Sequence, residues 1–87
     1  MYLHLGQDTV VRNSEIIGIF DMDNTTSSRL TRRFLSQAER EGRVVDVSGD
    51  LPKSFTLCRA REGPAMVYLS QLSAATLRGR VEGGILE

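Results

Sequence analysis

Glu15-Ile16-Ile17-Gly18-Ile19-Phe20-Asp21-Met22-Asp23-Asn24-Thr25 carries the change of period on which the fold turns. Its first half is a nearly continuous apolar run of strand length. Such a run implies a strand covered on both faces, by the core on one side and by something further, such as a partner chain, on the other. From Thr26 to Glu41 the pattern becomes helical. Leu30, Phe34, Leu35 and Ala38 fall on one side of a helix at about 100° per residue, which makes that side the expected core face. Asn24, Thr25 or Thr26 can cap the helix start with a side-chain oxygen, and Gly42 can take the left-handed conformation that ends it.

Working outward, the segments on either side read as strands. Tyr2 to Leu5 and Thr9 to Arg12 are short strand patterns separated by Gly6-Gln7-Asp8, which suits a hairpin. After the helix, Arg43 to Val47, Ser54 to Arg59 and Ala65 to Ser70 return to strand patterns, the last two as a hairpin. Ser73 to Arg80 can form a short helical turn capped by Ser73. Val81 to Glu87 has a glycine pair and no periodicity, so residues 81–87 are expected to be a mobile tail after a domain of residues 1–80. The order β-β-β-α-β-β-β defines an α+β class, a small, mostly antiparallel sheet with one main helix.

Size and charge limit what such a domain can do. With 87 residues the chain suits a single domain around one core. Eleven basic side chains balance eleven acidic ones, so attraction to nucleic acid has to come from clustering and not from net charge. The single cysteine, Cys58 in Phe55-Thr56-Leu57-Cys58, excludes an internal disulfide and reads as a small buried hydrophobe. No apolar run approaches the ~20 residues that cross a bilayer, and the start lacks a signal-peptide plan; the expected compartment is the cytoplasm.

Two constellations could carry chemistry. Phe20-Asp21-Met22-Asp23-Asn24-Thr25 resembles the nucleophile motif of haloacid-dehalogenase-type phosphatases, in which the first aspartate attacks phosphorus beside a magnesium ion. That reading is a remote one. The mechanism also needs a phosphate-holding cation, a second acidic pair and a doubly wound sheet, for which this chain has no room. The plainer reading places Asp21 and Asp23 in a strand-to-helix turn where carboxylates favour a helix N-terminus. His4, between Leu3 and Leu5, should point away from the core. One His and one Cys leave a metal site without ligands, so neither a metal nor another cofactor is expected, and no catalytic residue is assigned.

The second constellation is a stripe of Arg29, Arg32, Arg33 and Arg40 within about 100° of one another, opposite Leu30, Phe34 and Ala38. Arginine forks match phosphate oxygens and guanine edges, so the stripe can hold duplex DNA, although a solvated helix face has the same pattern. Arg59 and Arg61 form a weaker basic spot in the last hairpin loop.

Met1-Tyr2-Leu3-His4-Leu5-Gly6, Ile16-Ile17-Gly18-Ile19-Phe20-Asp21, Phe34-Leu35 with Ala38, Glu39 and Gly42, and Leu51-Pro52-Lys53-Ser54-Phe55 together resemble the RemA/RemB family of bacterial extracellular-matrix regulators, nearer its RemB branch, over about residues 1–80. The resemblance implies a LytTR-like β-rich domain without catalysis that assembles into rings and controls transcription of biofilm genes by binding DNA. It implies DNA contacts at Arg32 and Arg33, to which the residue pattern adds Arg29, Lys53, Arg59 and Arg61. Where the RemA branch has an arginine-rich loop, this chain reads Gly49-Asp50-Leu51-Pro52-Lys53-Ser54, with one positive charge. The competing reading is an oligomeric scaffold that contacts another protein instead of DNA. No membrane partner and no small-molecule substrate are expected on either reading.

Overall fold

The computed structural model describes residues 1–25 and 28–86. Strands β1 (Tyr2–Gly6) and β2 (Thr9–Arg12) form an antiparallel hairpin, and a single 3-10 turn at Asn13–Glu15 leads into β3 (Ile16–Asp21). Helices α1 (Met22–Thr25) and α2 (Arg29–Arg40) follow, then β4 (Val44–Asp46), β5 (Ser54–Cys58), β6 (Met66–Ser70) and α3 (Ala74–Leu86). The main sheet has the order β3-β5-β6-β4. β5 is antiparallel to both neighbours, whereas β4 runs parallel to β6. β3 and β4 therefore point the same way from opposite edges, and α2 is the crossover between them.

The alternation along β5 and β6 sorts side chains onto two faces. Phe55, Leu57, Val67 and Leu69 face α2, where Ala38, Phe55 and Val67 are buried and Phe20, Leu35 and Val44 pack around them. The opposite face meets the hairpin and α3 in a larger cluster of Leu3, Leu5, Ile19, Val47, Ala74 and Leu77. The single core expected from chain length is thus two clusters, one on each side of the sheet. Each layer is thin, because 87 residues are divided three ways.

Buried serines join the layers. Ser70 donates through its hydroxyl to the carbonyl of Leu5, and Ser54 does so to the carbonyl of Leu72, each at 2.7 Å. These bonds satisfy backbone acceptors that the hairpin and the α3 entry would otherwise bury unpaired.

Several expectations hold. His4 is exposed between the buried Leu3 and Leu5. Cys58 is buried, and burial pushes its thiol up to about 11, so it stays a neutral hydrophobe at ordinary pH. Three details differ. β3 is an edge strand, and Ile17 at its bulge is 58% exposed, so among the described residues the second cover implied by the apolar run is not complete there. The end of the chain is helical to Leu86, beyond the turn expected at Ser73–Arg80. That helix is anchored by Ala74, Leu77 and Val81 at i, i+3 and i+7 against the larger core, and by an Arg78 hydrogen bond to the Ile19 carbonyl. The α2 cap is the third difference. Among the described residues, no helix is long and apolar enough to cross a membrane.

Candidate nucleic-acid interface

The candidate interface is built on α2, whose ends are chemically fixed. Ser28 is its N-cap, with extended backbone and a hydroxyl that accepts from the Thr31 amide at 3.4 Å. Of the caps expected from sequence, Asn24 and Thr25 instead close α1, and Thr26 lies outside the described residues. The reason is Asp21. Its Oδ1 accepts the Asp23 amide at 2.8 Å, which starts a separate helical turn at Met22 and moves the start of the main helix downstream. The Asp21 carboxylate thereby has the helix-start role of the plainer reading. Among the described residues, no group of three or more His, Cys, Asp or Glu side chains is placed to hold a metal ion. At the other end Gly42 has φ +72°, as expected, and the Arg43 amide returns to the Ala38 carbonyl at 2.8 Å.

Within this frame the arginine stripe is real. Arg29, Arg32, Arg33 and Arg40 are all exposed and line one surface depression together with Leu30, Phe34, Ser36 and Gln37. Arg40 is tied to the helix end, where it donates to Gln37 at 3.2 Å. Gln37 donates in turn to Glu41 at 2.7 Å, and Glu41 pairs with Arg43 at 2.7 Å. The bonds from Gln37 and then Arg43 hold the Glu41 carboxyl below its usual range. Arg29 and Arg33 take part in no side-chain hydrogen bond or ion pair among the described residues. The first turn of α2 contains no acidic residue. Arg29 and Arg32 thus stand in the first turn, at the positive end of the helix dipole, where an anion is favoured, and Arg33 follows in the next turn.

The apolar side of α2 departs from expectation. Ala38 is buried and Leu35 packs beneath the helix, but Leu30 is 75% exposed and Phe34 37%. The helix packs over β4 and β6 and leaves the β3–β5 half of this face open. Leu30, Thr31 and Phe34 form one wall of an open apolar groove whose floor is Phe20, Phe55 and Leu57. Phe20 stacks on Phe55 at 5.0 Å and lies over Gly18, where a Cβ would come within 2.6 Å of its ring. Phe34 is held from the far side by the Arg43 guanidinium, 5.8 Å from its centroid. The arginine stripe and this groove share Leu30 and Phe34 as their border.

The remaining basic residues lie elsewhere. Lys53 is exposed just before β5, and its backbone bonds to Met22 and Ser70 place it at the end of the sheet where β3 runs into α1. Arg59 and Arg61 follow β5 at the opposite end, about 17 Å away along a five-residue strand. They line a groove with Arg12 and Tyr2, two residues the sequence reading did not single out. Their signal was the strand pattern itself, since two exposed residues at the open ends of a hairpin face each other across the ladder.

Comparison with known proteins agrees with this chain's pattern. Residues 2–81 match the RemA-like family, described as extracellular matrix regulatory protein A-like. The chain belongs to that family. It is also 34% identical over 82 residues to extracellular matrix regulatory protein B of Bacillus subtilis (strain 168), covering 94% of this chain and 91% of the relative. The RemA-like match spans every strand and the whole of α2, so both the arginine stripe and the groove beside it lie inside the family's domain.

Proposed function

We propose that this RemA-like chain regulates extracellular-matrix genes by binding duplex DNA through the arginine face of α2, as a ring of identical subunits and without catalysis. The observation that carries the reading is the exposure of Arg29, Arg32 and Arg33 on one face of the first two turns of α2 with no acid in the first turn. A phosphate placed there meets the positive end of the helix and several arginine forks together, so binding energy comes from the fold's own electrostatics. Assembly is supported by the neighbouring groove. Leu30 and Phe34 present apolar surface in the open groove and Ile17 does so on the β3 edge strand, and a second copy would cover them.

Assembly also answers the balance of charge. One neutral subunit attracts DNA weakly, whereas several arginine faces on one assembly act at high effective concentration along the same duplex. Gel filtration with and without a duplex tests both parts. The expected result is a species several times the 9.7 kDa chain mass that shifts further on adding DNA. An assembly that leaves duplex DNA unbound at about 50 mM salt, where phosphate contacts are strongest, would favour the protein-scaffold reading.

A further inference from the structure

We infer that the groove between β2 and the β5–β6 turn is a second anion site, one that takes a nucleoside phosphate with its phosphate on Arg59 and Arg61 and its base against Tyr2 and Arg12. The inference goes beyond the DNA contact proposed for α2, because the two sites lie on opposite faces of the main sheet. Tyr68, Met66 and Cys58 line this groove from the hairpin side, whereas α2 packs on Phe55, Val67 and Leu69 on the other. A duplex lying along α2 cannot reach it.

Three arginines line the groove against one carboxylate, Glu15. Arg59 and Arg61 are exposed on either side of Ala60 in the turn, and the Arg59 amide is fixed to the Glu15 carbonyl at 2.7 Å. Two guanidinium forks on one short, anchored segment suit the several oxygens of a phosphate. The rest of the groove is not built for a bare ion. Tyr2 and Arg12 are cross-strand partners, with the guanidinium 6.0 Å from the centroid of a tyrosine that is 63% exposed. A ring and a planar cation presented together form a stacking surface for a nucleobase. Val10 and Met66 add apolar wall. The volume of about 290 Å³ lies at the small end of ligand sites, which favours one nucleotide over a larger ligand.

The same chemistry is offered by a free nucleotide and by the unpaired end of a strand, so the titration uses dAMP, inorganic phosphate and a short oligothymidine, each at about 50 mM salt. Saturable dAMP binding between about 10 μM and 1 mM is expected. The double substitution Arg59→Ala and Arg61→Ala, in an exposed turn, should weaken it at least tenfold with the melting temperature unchanged. Tyr2→Ala should weaken dAMP but not inorganic phosphate. Glu15→Gln should tighten binding of both, because it removes the one carboxylate facing the site while keeping the backbone carbonyl that anchors Arg59. Oligothymidine that displaces dAMP at lower concentration identifies a strand end as the source, and dAMP binding without it identifies a free nucleotide. Arg33→Ala should leave dAMP binding intact even where it removes duplex binding, which separates this site from the α2 face. The inference is overturned by absence of saturation with any of the three probes up to about 5 mM. It is equally overturned by dAMP affinity that is indifferent to the Arg59 and Arg61 substitutions or that disappears with Arg33→Ala.

Discussion

The Ser70 hydroxyl donates to the Leu5 carbonyl at 2.7 Å, joining residues 65 positions apart and holding the first hairpin on the main sheet. Both groups are buried, so no water replaces the bond when one partner is removed. Ser70→Ala should destabilise the fold by about 1–3 kcal/mol, read as a lower urea midpoint at constant slope. A midpoint equal to the wild type would mean that the hairpin is held by its apolar contacts alone.

The hairpin turn offers a gain instead of a loss. Gln7 and Asp8 both have positive φ, +44° and +63°, in the two-residue loop between β1 and β2. That is the type I′ geometry, in which asparagine and glycine are the favoured pair and other L-residues are strained. Gln7→Asn with Asp8→Gly should raise stability by about 1 kcal/mol. Thermal melting at matched concentration measures it, and a fall in Tm would exclude the mirror-image turn.

Alkali should weaken the fold through Cys58. Burial, and then the charge of Glu15, raise the folded thiol from its ordinary value near 9 to about 11. Between those values the unfolded chain releases the proton and the folded chain keeps it, so stability is intact below pH 9 and declines as pH rises toward 11. Tyr68, raised by its own burial, adds to the slope at the upper end. Urea midpoints across that range should fall less steeply for Cys58→Ala than for the wild type.

How much of this was legible in the sequence depends on the range of the interaction involved. The β5–β6 hairpin was readable because strand alternation and the intervening turn are local. The arginine stripe was readable because helical spacing alone puts Arg29, Arg33 and Arg40 on one face. The exposure of Leu30 and Phe34 was not, since an apolar residue at helical spacing looks the same whether it packs on the sheet or borders an open groove. The Ser28 cap was hidden because Asp21 starts its own turn first, which made nearby Asn24 and Thr25 look equally suitable. In α3 the glycine pair at 83 and 84 outweighed the Ala74, Leu77 and Val81 spacing, although burial against β1 and β3 is what secures that helix.

That exposure has a direct test. Leu30 is 75% exposed, so Leu30→Glu should change the stability of the isolated fold by less than about 0.5 kcal/mol. If the groove beside it is where copies meet, the same substitution should lower the mass found by light scattering toward one chain, because it buries a charge in the apolar contact. Ala38→Glu is the contrast, since it places a carboxylate in a closed core and should unfold the chain. An assembly unchanged by Leu30→Glu would move the subunit contact to another surface.

The salt dependence of duplex binding separates a phosphate contact from a base contact on α2. Arg33 is exposed and makes no side-chain hydrogen bond or ion pair among the described residues, so Arg33→Ala removes a charge without disturbing the helix. If it holds a phosphate, affinity should drop similarly for all sequences, and the slope of log affinity on log salt should fall by roughly one unit for each subunit engaged. A base-reading arginine would instead relax preference at one position, by about 1–3 kcal/mol per contact. Titrations over about 50–200 mM salt resolve the difference. The substituted assembly must keep its mass, since fewer subunits would lower the slope through lost multivalency alone. Arg40 supplies the internal control. Its guanidinium already donates to Gln37 at the far end of the stripe, so Arg40→Ala should change the slope less than Arg33→Ala does. Equal slopes for the wild type, Arg29→Ala, Arg32→Ala and Arg33→Ala would make the stripe a solvated face and remove the basis for DNA binding by α2.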